Sequence, residues 1–191
     1  MARRSDSRER MVEAAARLLR RQGYAATGWR QVVAEGDAPW GSQAHHFPGG
    51  KEQLAAEALA LEGERIRSEI AAALAGAHPA DMVRAWATFA AGVLEGSDFA
   101  EGCPIATTAL ETAHESDALA QACHAAFTSW QHEFEAAMRS RRVRPAEAKA
   151  LATLLVASTE GALLLARAAR DTTPLHTVAK QLSALLRDRV P

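Results

Sequence analysis

A chain of 191 residues is long enough for a real core in one domain or two small ones, and 48% hydrophobic content with only 5% aromatic residues favours packed helices over sheets. No unbroken apolar run of about eighteen residues is present, and the first residues are charged (Arg3, Arg4, Asp6, Arg8), so no membrane span or secretory signal is expected and the location is taken as cytoplasmic. The formal net charge of −1 argues against nucleic acid only until it is divided, because residues 1–51 carry nine Lys and Arg against five Asp and Glu, a net +4, and residues 52–191 carry thirteen against eighteen, a net −5. A basic head concentrates positive potential where a polyanion would sit, although a solvated charged tail explains Arg3 and Arg4 equally well.

In chain order, residues 6–22 are predicted as a first helix, with Met11, Ala15, Leu18 and Leu19 on one side at helical spacing and Arg17, Arg20 and Arg21 opposite. Gly23 stops it and Tyr24 folds back onto the small core. Thr27 is expected to cap a second helix whose inward face is Val32 and Val33, and Gly36 and Asp37 end it. Pro39 then opens a helix of about two turns over 39–47, a length that suits a major groove better than a free-standing helix. Together 27–51 have the layout of a helix-turn-helix. Gly41 and Ser42 are small enough for backbone to approach phosphate, and His45, His46 and Lys51 are donors that can hold it. The plainer reading is an ordinary inter-helix loop, which has the same composition.

Lys51 opens a long fourth helix over about 51–75, with Leu54, Ala58 and Leu61, then Ile66, Ile70 and Leu74, along its stripe. A fifth, over 79–95, carries Met82, Trp86, Phe89 and Val93; a loop over 96–102 follows, then a short sixth helix over 104–113. The seventh, 117–141, places Leu119, Cys123, Phe127, Trp130, Phe134 and Met138 at spacings of four, four, three, four and four. Such a stripe is either plain core or the wall of a cavity. After a basic break at 139–145, an eighth helix over 145–170 is rich in Leu and Ala, and a ninth over 174–189 sets Leu175, Val178, Leu182 and Leu185 in a seam, faces that suit packing across a two-fold axis.

No catalytic constellation is present: there is no phosphate loop behind a strand, no nucleophile elbow and no paired E-x-x-H set. No cofactor and no metal are expected. Glu111 and His114 sit three apart and read as a surface coincidence. Cys103 and Cys123 lack ligand spacing and read as reduced helical thiols. Glu160 lies amid apolar residues and must be paired, at a dimer seam or facing a polar cavity. Thr107, Thr108 and Thr159 line a pocket or, more simply, bond helix carbonyls.

The order RERMVEAAARLLRRQGY (8–24), Thr27, and GSQAHHFPGGKEQL (41–54) resembles the amino-terminal domain of TetR-family repressors, and the FPGGKEQL corner is similar to the LmrA/YxaF-type branch. GCPIA (102–106), Trp130 and EGALLLAR (160–167) resemble that branch's ligand-binding domain. The resemblance implies an all-α homodimer of about nine helices. Residues 1–50 would be the three-helix helix-turn-helix domain, and 51–191 the ligand-binding and dimerisation domain, paired through the last two helices. Its partners would be palindromic double-stranded operator DNA and a small apolar or aromatic effector. Thr27, Arg30, Trp40, Gly41, Ser42, His45, His46 and Lys51 would serve DNA; Trp86, Phe89, Cys103, Thr107, Phe127, Trp130, Phe134 and Glu160 would serve the effector. The chain departs from the family at three places: Trp40 stands where Lys or Arg is usual, Gln43 where Leu or Ile is usual, and Ala44 where Tyr is usual. Gln43 is read as a polar intrusion into the small core rather than as a base contact, and Ala44 as too short to touch DNA as the tyrosine does. The competing readings are a redox or metal sensor using Cys103 and Cys123, and a helical interaction protein whose DNA binding has weakened.

Overall fold

The computed structural model describes the backbone of residues 2–191 and side chains from Ser7 onward, so the alternatives for Arg3 and Arg4 lie outside the described residues. Among the described residues the structure is all-α: α1 (Ala2–Ala26), α2 (Trp29–Glu35), α3 (Ser42–His46), α4 (Gly50–Leu74), α5 (Pro79–Gly96), α6 (Pro104–Thr112), α7 (Asp117–Ser140), α8 (Pro145–Ala169) and α9 (Thr173–Arg189). Proline occupies the first or second position of α5, α6, α8 and α9, where its missing amide proton has no intrahelical acceptor to lose. Contacts divide the chain into one unit of residues 1–64 with 103–126 and another of 65–102 with 127–191, so α4 and α7 each run through both.

In the first unit, Met11, Ala15, Leu18 and Leu19 of α1 are buried as their spacing predicts, together with Val32, Val33, Phe47, Leu54 and Ala58. Arg20 is not on a solvent face. It pairs with Glu62 of α4, a carboxylate only 1% exposed, and Arg8 reaches Glu57 at 2.7 Å. The helix path of α1 breaks at Gly23, whose φ of 76° and ψ of −177° lie in a region essentially closed to other residues. Gly36 ends α2 for a different reason from the one expected. Its φ of −85° is ordinary, and it is Asp37, at φ 44°, that turns left-handed. Gly36 is small because a Cβ would press within 3.2 Å of the α1 backbone at Arg10 and Met11.

In the second unit, α5 packs on α9, and α9 on α8. The buried face of α5 is Met82, Val83, Ala87, Ala90, Ala91 and Leu94, so of the predicted Met82–Trp86–Phe89–Val93 stripe only Met82 is buried. The buried face thus mixes three alanines with Met82, Val83 and Leu94. Phe89 is left 62% exposed. His78 caps α5 by accepting the Ala80 amide at Nδ1 (3.1 Å) and lies 2.9 Å from the Val190 carbonyl through Nε2, the geometry of a neutral ring protonated at Nε2. Arg167 donates to the carbonyls of Phe99 and Ala100, fixing the 96–102 loop against α8. By length and composition alone α8 is apolar enough to cross a membrane, with a third of its most apolar stretch buried, although Lys149, Glu160 and Arg167 interrupt any unbroken apolar run. Alanine raises its hydropathy without forming a run of large side chains.

Candidate nucleic-acid interface

The segment joining α1 to α2 is tied by short-range polar bonds. Thr27 does not cap α2; its hydroxyl donates back to the Gly23 carbonyl at 2.7 Å and the side chain is buried. The cap position is Gly28, in extended geometry, and its amide is satisfied by the Gln31 side chain at 3.2 Å, half of a capping box. Thr27 is drawn inward because the turn after Gly23 leaves a carbonyl that needs a donor.

α3 is shorter than the predicted 39–47. Gly41, at φ 98°, interrupts the path from Pro39, which instead forms a turn closed by the Ser42 amide and hydroxyl on its carbonyl at 3.1 and 2.7 Å. Gln43 does not intrude into the core: its side-chain oxygen accepts the Gly41 amide at 2.7 Å, so it caps the helix that a leucine would have packed. Trp40, Gly41, Ala44 and His45 are exposed, and Arg30 on α2 is exposed as well. His46 is half-buried and lies 3.0 Å from the Ser7 hydroxyl, tying α3 to the start of α1. Arg10 reaches the carbonyls of Gly36 and Asp37 at 2.8 and 2.9 Å, which closes the turn between the helices. Ser7, Arg10, Asp37, Pro39, Ser42, His45 and His46 line a concavity of about 580 Å³ on this face.

Lys51 differs from the exposed donors. Its ammonium sits 4.2 Å over the Tyr24 ring and 3.4 Å from the Ala25 carbonyl. Burial lowers its pKa, and the nearby Glu111 carboxylate opposes that shift. No sequence pattern marks Glu111 as a functional residue. Its carboxylate accepts the amides of Tyr24 (2.6 Å) and Ala25 (3.0 Å) from eighty-seven and eighty-six residues away.

Residues 79–181 match the family described as transcriptional regulator LmrA/YxaF-like, C-terminal domain. The chain is 38% identical to the HTH-type transcriptional regulator LmrA of Bacillus subtilis (strain 168) over 183 residues, covering 95% of this chain and 97% of that one. This chain belongs to the TetR family, in its LmrA/YxaF-like group. A second relative, the uncharacterized HTH-type transcriptional regulator YxaF of the same organism, is 34% identical over 99% of this chain and 100% of its own. The crystal structure of a TetR transcriptional regulator from Chloroflexus aurantiacus J-10-FL superposes with a TM-score of 0.79 at 29% identity, covering 100% and 98% of the two chains. The TetR-family chain is therefore a DNA-binding helix-turn-helix regulator of transcription and not an enzyme, in agreement with the sequence reading.

The residues expected to serve an effector are divided between the two units. Cys103 and Thr107 belong to the first. Cys103 is half-buried and caps α6, its sulfur accepting the Ala106 amide at 3.5 Å, and Thr107 is half-buried. In the second unit Trp130 and Phe134 are buried, Trp86 and Phe127 half-buried, and Phe89 exposed. Phe127 and Trp130 meet edge to face with centroids 5.3 Å apart. Glu160 is half-buried and has a partner. Thr159 bonds the Val156 carbonyl at 3.0 Å, the plain helical role expected of it, whereas the fully buried Thr108 hydroxyl has no hydrogen-bond partner. Helix packing alone sets that burial, which composition does not reveal.

Proposed function

We propose that this TetR-family chain is a cytoplasmic, ligand-responsive repressor that reads a near-palindromic operator as a homodimer. The observation that carries the reading is the exposed edge formed by Arg30, Trp40, Gly41 and His45, a mixture of cation, indole, bare backbone and imidazole on a net-positive head. Ser42, His46 and Lys51 flank it, and Thr27 supports it from below through Gly23. In this reading residues 1–50 are the DNA-binding domain and 51–191 the ligand-binding and dimerisation domain.

Dimerisation is assigned to the last two helices. Leu154 and Leu165 are 42% and 59% exposed and lie eleven residues apart, which returns to the same side of a helix, with Ser158 and Gly161 between them. Large apolar ends around a small-residue middle suit a close two-fold crossing. Two recognition helices would then sit about one turn of DNA apart, near 34 to 36 Å. Trp86, Phe127, Trp130 and Phe134, with Phe89 and Glu160, all of the second unit, are the residues assigned to an apolar or aromatic effector that favours the non-binding state. A cysteine-based redox switch has less support, because burial pushes the Cys123 thiol up to about 11 and so keeps it protonated and unreactive.

The test is a footprint of the purified protein on the DNA flanking its own gene. Protection of two symmetric stretches on one face of the duplex is expected, and loss of protection on adding members of a hydrophobic aromatic library identifies the effector class. Absence of any protected stretch there and in random genomic fragments would overturn the reading.

A further inference from the structure

We infer that Glu111 of α6 is a positioning residue for DNA binding, seating the turn that aims α2 and α3. The inference rests on the reading that residues 27–51 face the duplex. Three observations meet at this carboxylate. One oxygen, Oε2, accepts both the Tyr24 and the Ala25 amide, the two N–H groups left outward by the break in α1. A Cβ at Gly23 would collide with the other oxygen, so the bare backbone there serves the seat as well as the turn. The Lys51 ammonium stands over Tyr24 and on the Ala25 carbonyl, bracing the same short segment.

Apart from Lys51 and the Trp29 ring against Phe47, the other bonds of the segment 22–31 are local, among them the Thr27 hydroxyl on the Gly23 carbonyl at 2.7 Å. Gln22 donates to the Ala26 carbonyl at 2.9 Å and meets Gln31 at 3.0 Å, both exposed bonds made within the segment itself. Glu111 comes instead from a helix that packs along α1, and Ser116, just beyond α6, bonds Glu52 at the start of α4. α6 and the residues after it therefore grip the ends of both helices that flank the reading pair. A carboxylate on two amides is a charge-assisted contact, stronger and more directional than a neutral one, so any displacement of α6 must carry the turn with it or give up both bonds. The helix-turn-helix is thus indexed to α6 by one side chain.

The experiment uses full-length Glu111→Gln, Glu111→Asp and Glu111→Ala proteins, the duplex upstream of the protein's own gene, and amide hydrogen exchange. Exchange at Tyr24 and Ala25 should quicken about tenfold or more in Glu111→Ala, with α8 and α9 unchanged. Affinity for the duplex should fall in the order wild type, Gln, Ala, by about tenfold at the end of the series. Glu111→Asp, one methylene too short, should behave like Ala. The thermal midpoint should move little. A lower midpoint with unchanged affinity of the folded protein would make Glu111 merely structural and overturn the inference. Failure of the wild type to bind the duplex would count against the DNA reading instead. The exchange arm then decides alone: faster exchange in Glu111→Ala supports the seat, and unchanged exchange removes it.

Discussion

Trp40 is 64% exposed beside the left-handed Gly41, at the position where the family usually places a cation. Its indole packs too little for its loss to matter to stability, so Trp40→Ala should change unfolding free energy by less than about 0.5 kcal/mol. If the ring lies against sugar or a thymine methyl, the same change should weaken operator binding several-fold. Trp40→Arg should steepen the fall of log affinity with log salt by about 0.9 for each protomer, or about 1.8 for the dimer. Equal affinity and equal salt dependence in all three proteins would remove Trp40 from the interface. Cys123 supports a second prediction. Its thiol ionises near 9 when unfolded and at about 11 when folded. Between those values the unfolded chain has lost the proton that the folded chain keeps, so this group's contribution to stability should be intact below pH 9 and decline as pH rises toward 11. Replacing Cys123 with Ala should flatten that part of the stability–pH curve, which urea titrations at several pH values would read.

At the scale of helices, the polar contact that matters most to α1 and α4 is Arg20 with Glu62. Removing Arg20 takes the cation from a carboxylate only 1% exposed, and Arg20→Ala should cost on the order of 3 kcal/mol by chemical denaturation. Arg17→Ala, exposed on the same helix, should cost little, and equal losses would mean Glu62 finds other compensation. The pair also marks the limit of the sequence. Periodicity locates the buried side of α1, because apolar residues recur at 3.6, but it assigns Arg20 to solvent, because no pattern reveals which cation meets a carboxylate forty-two residues away. The α5 face departs from expectation for a related reason. Aromatic residues dominate the sequence pattern, while the buried face takes Met82, Val83 and Leu94 together with three alanines and leaves Phe89 outside. Helix ends are legible where proline or a left-handed glycine sets them. They are not legible at Thr27 and Gln43, whose side chains choose partners created only by the folded turn.

At the scale of the molecule, family membership is legible in the RERMV, FPGGK and EGALLLAR segments, and the helices among the described residues follow from spacing and breakers. The proposed DNA edge is legible as a list of residue types; the seat beneath it is not, since Glu111 and Gly23 become neighbours only through the packing of α6 on α1. Dimerisation decides whether that edge is used once or twice. Leu165→Glu, a charge on a side chain 59% exposed in the protomer, should leave the protomer folded and give a monomer in sedimentation. That variant is the natural companion to the central measurement, selection of random duplexes by the purified protein at two salt concentrations. An enriched palindrome with half-sites about one helical turn apart is expected, with affinity that falls with salt and with loss of the enrichment in Leu165→Glu. Unselective binding, or an enriched site without two-fold symmetry, would contradict the dimeric reading of DNA.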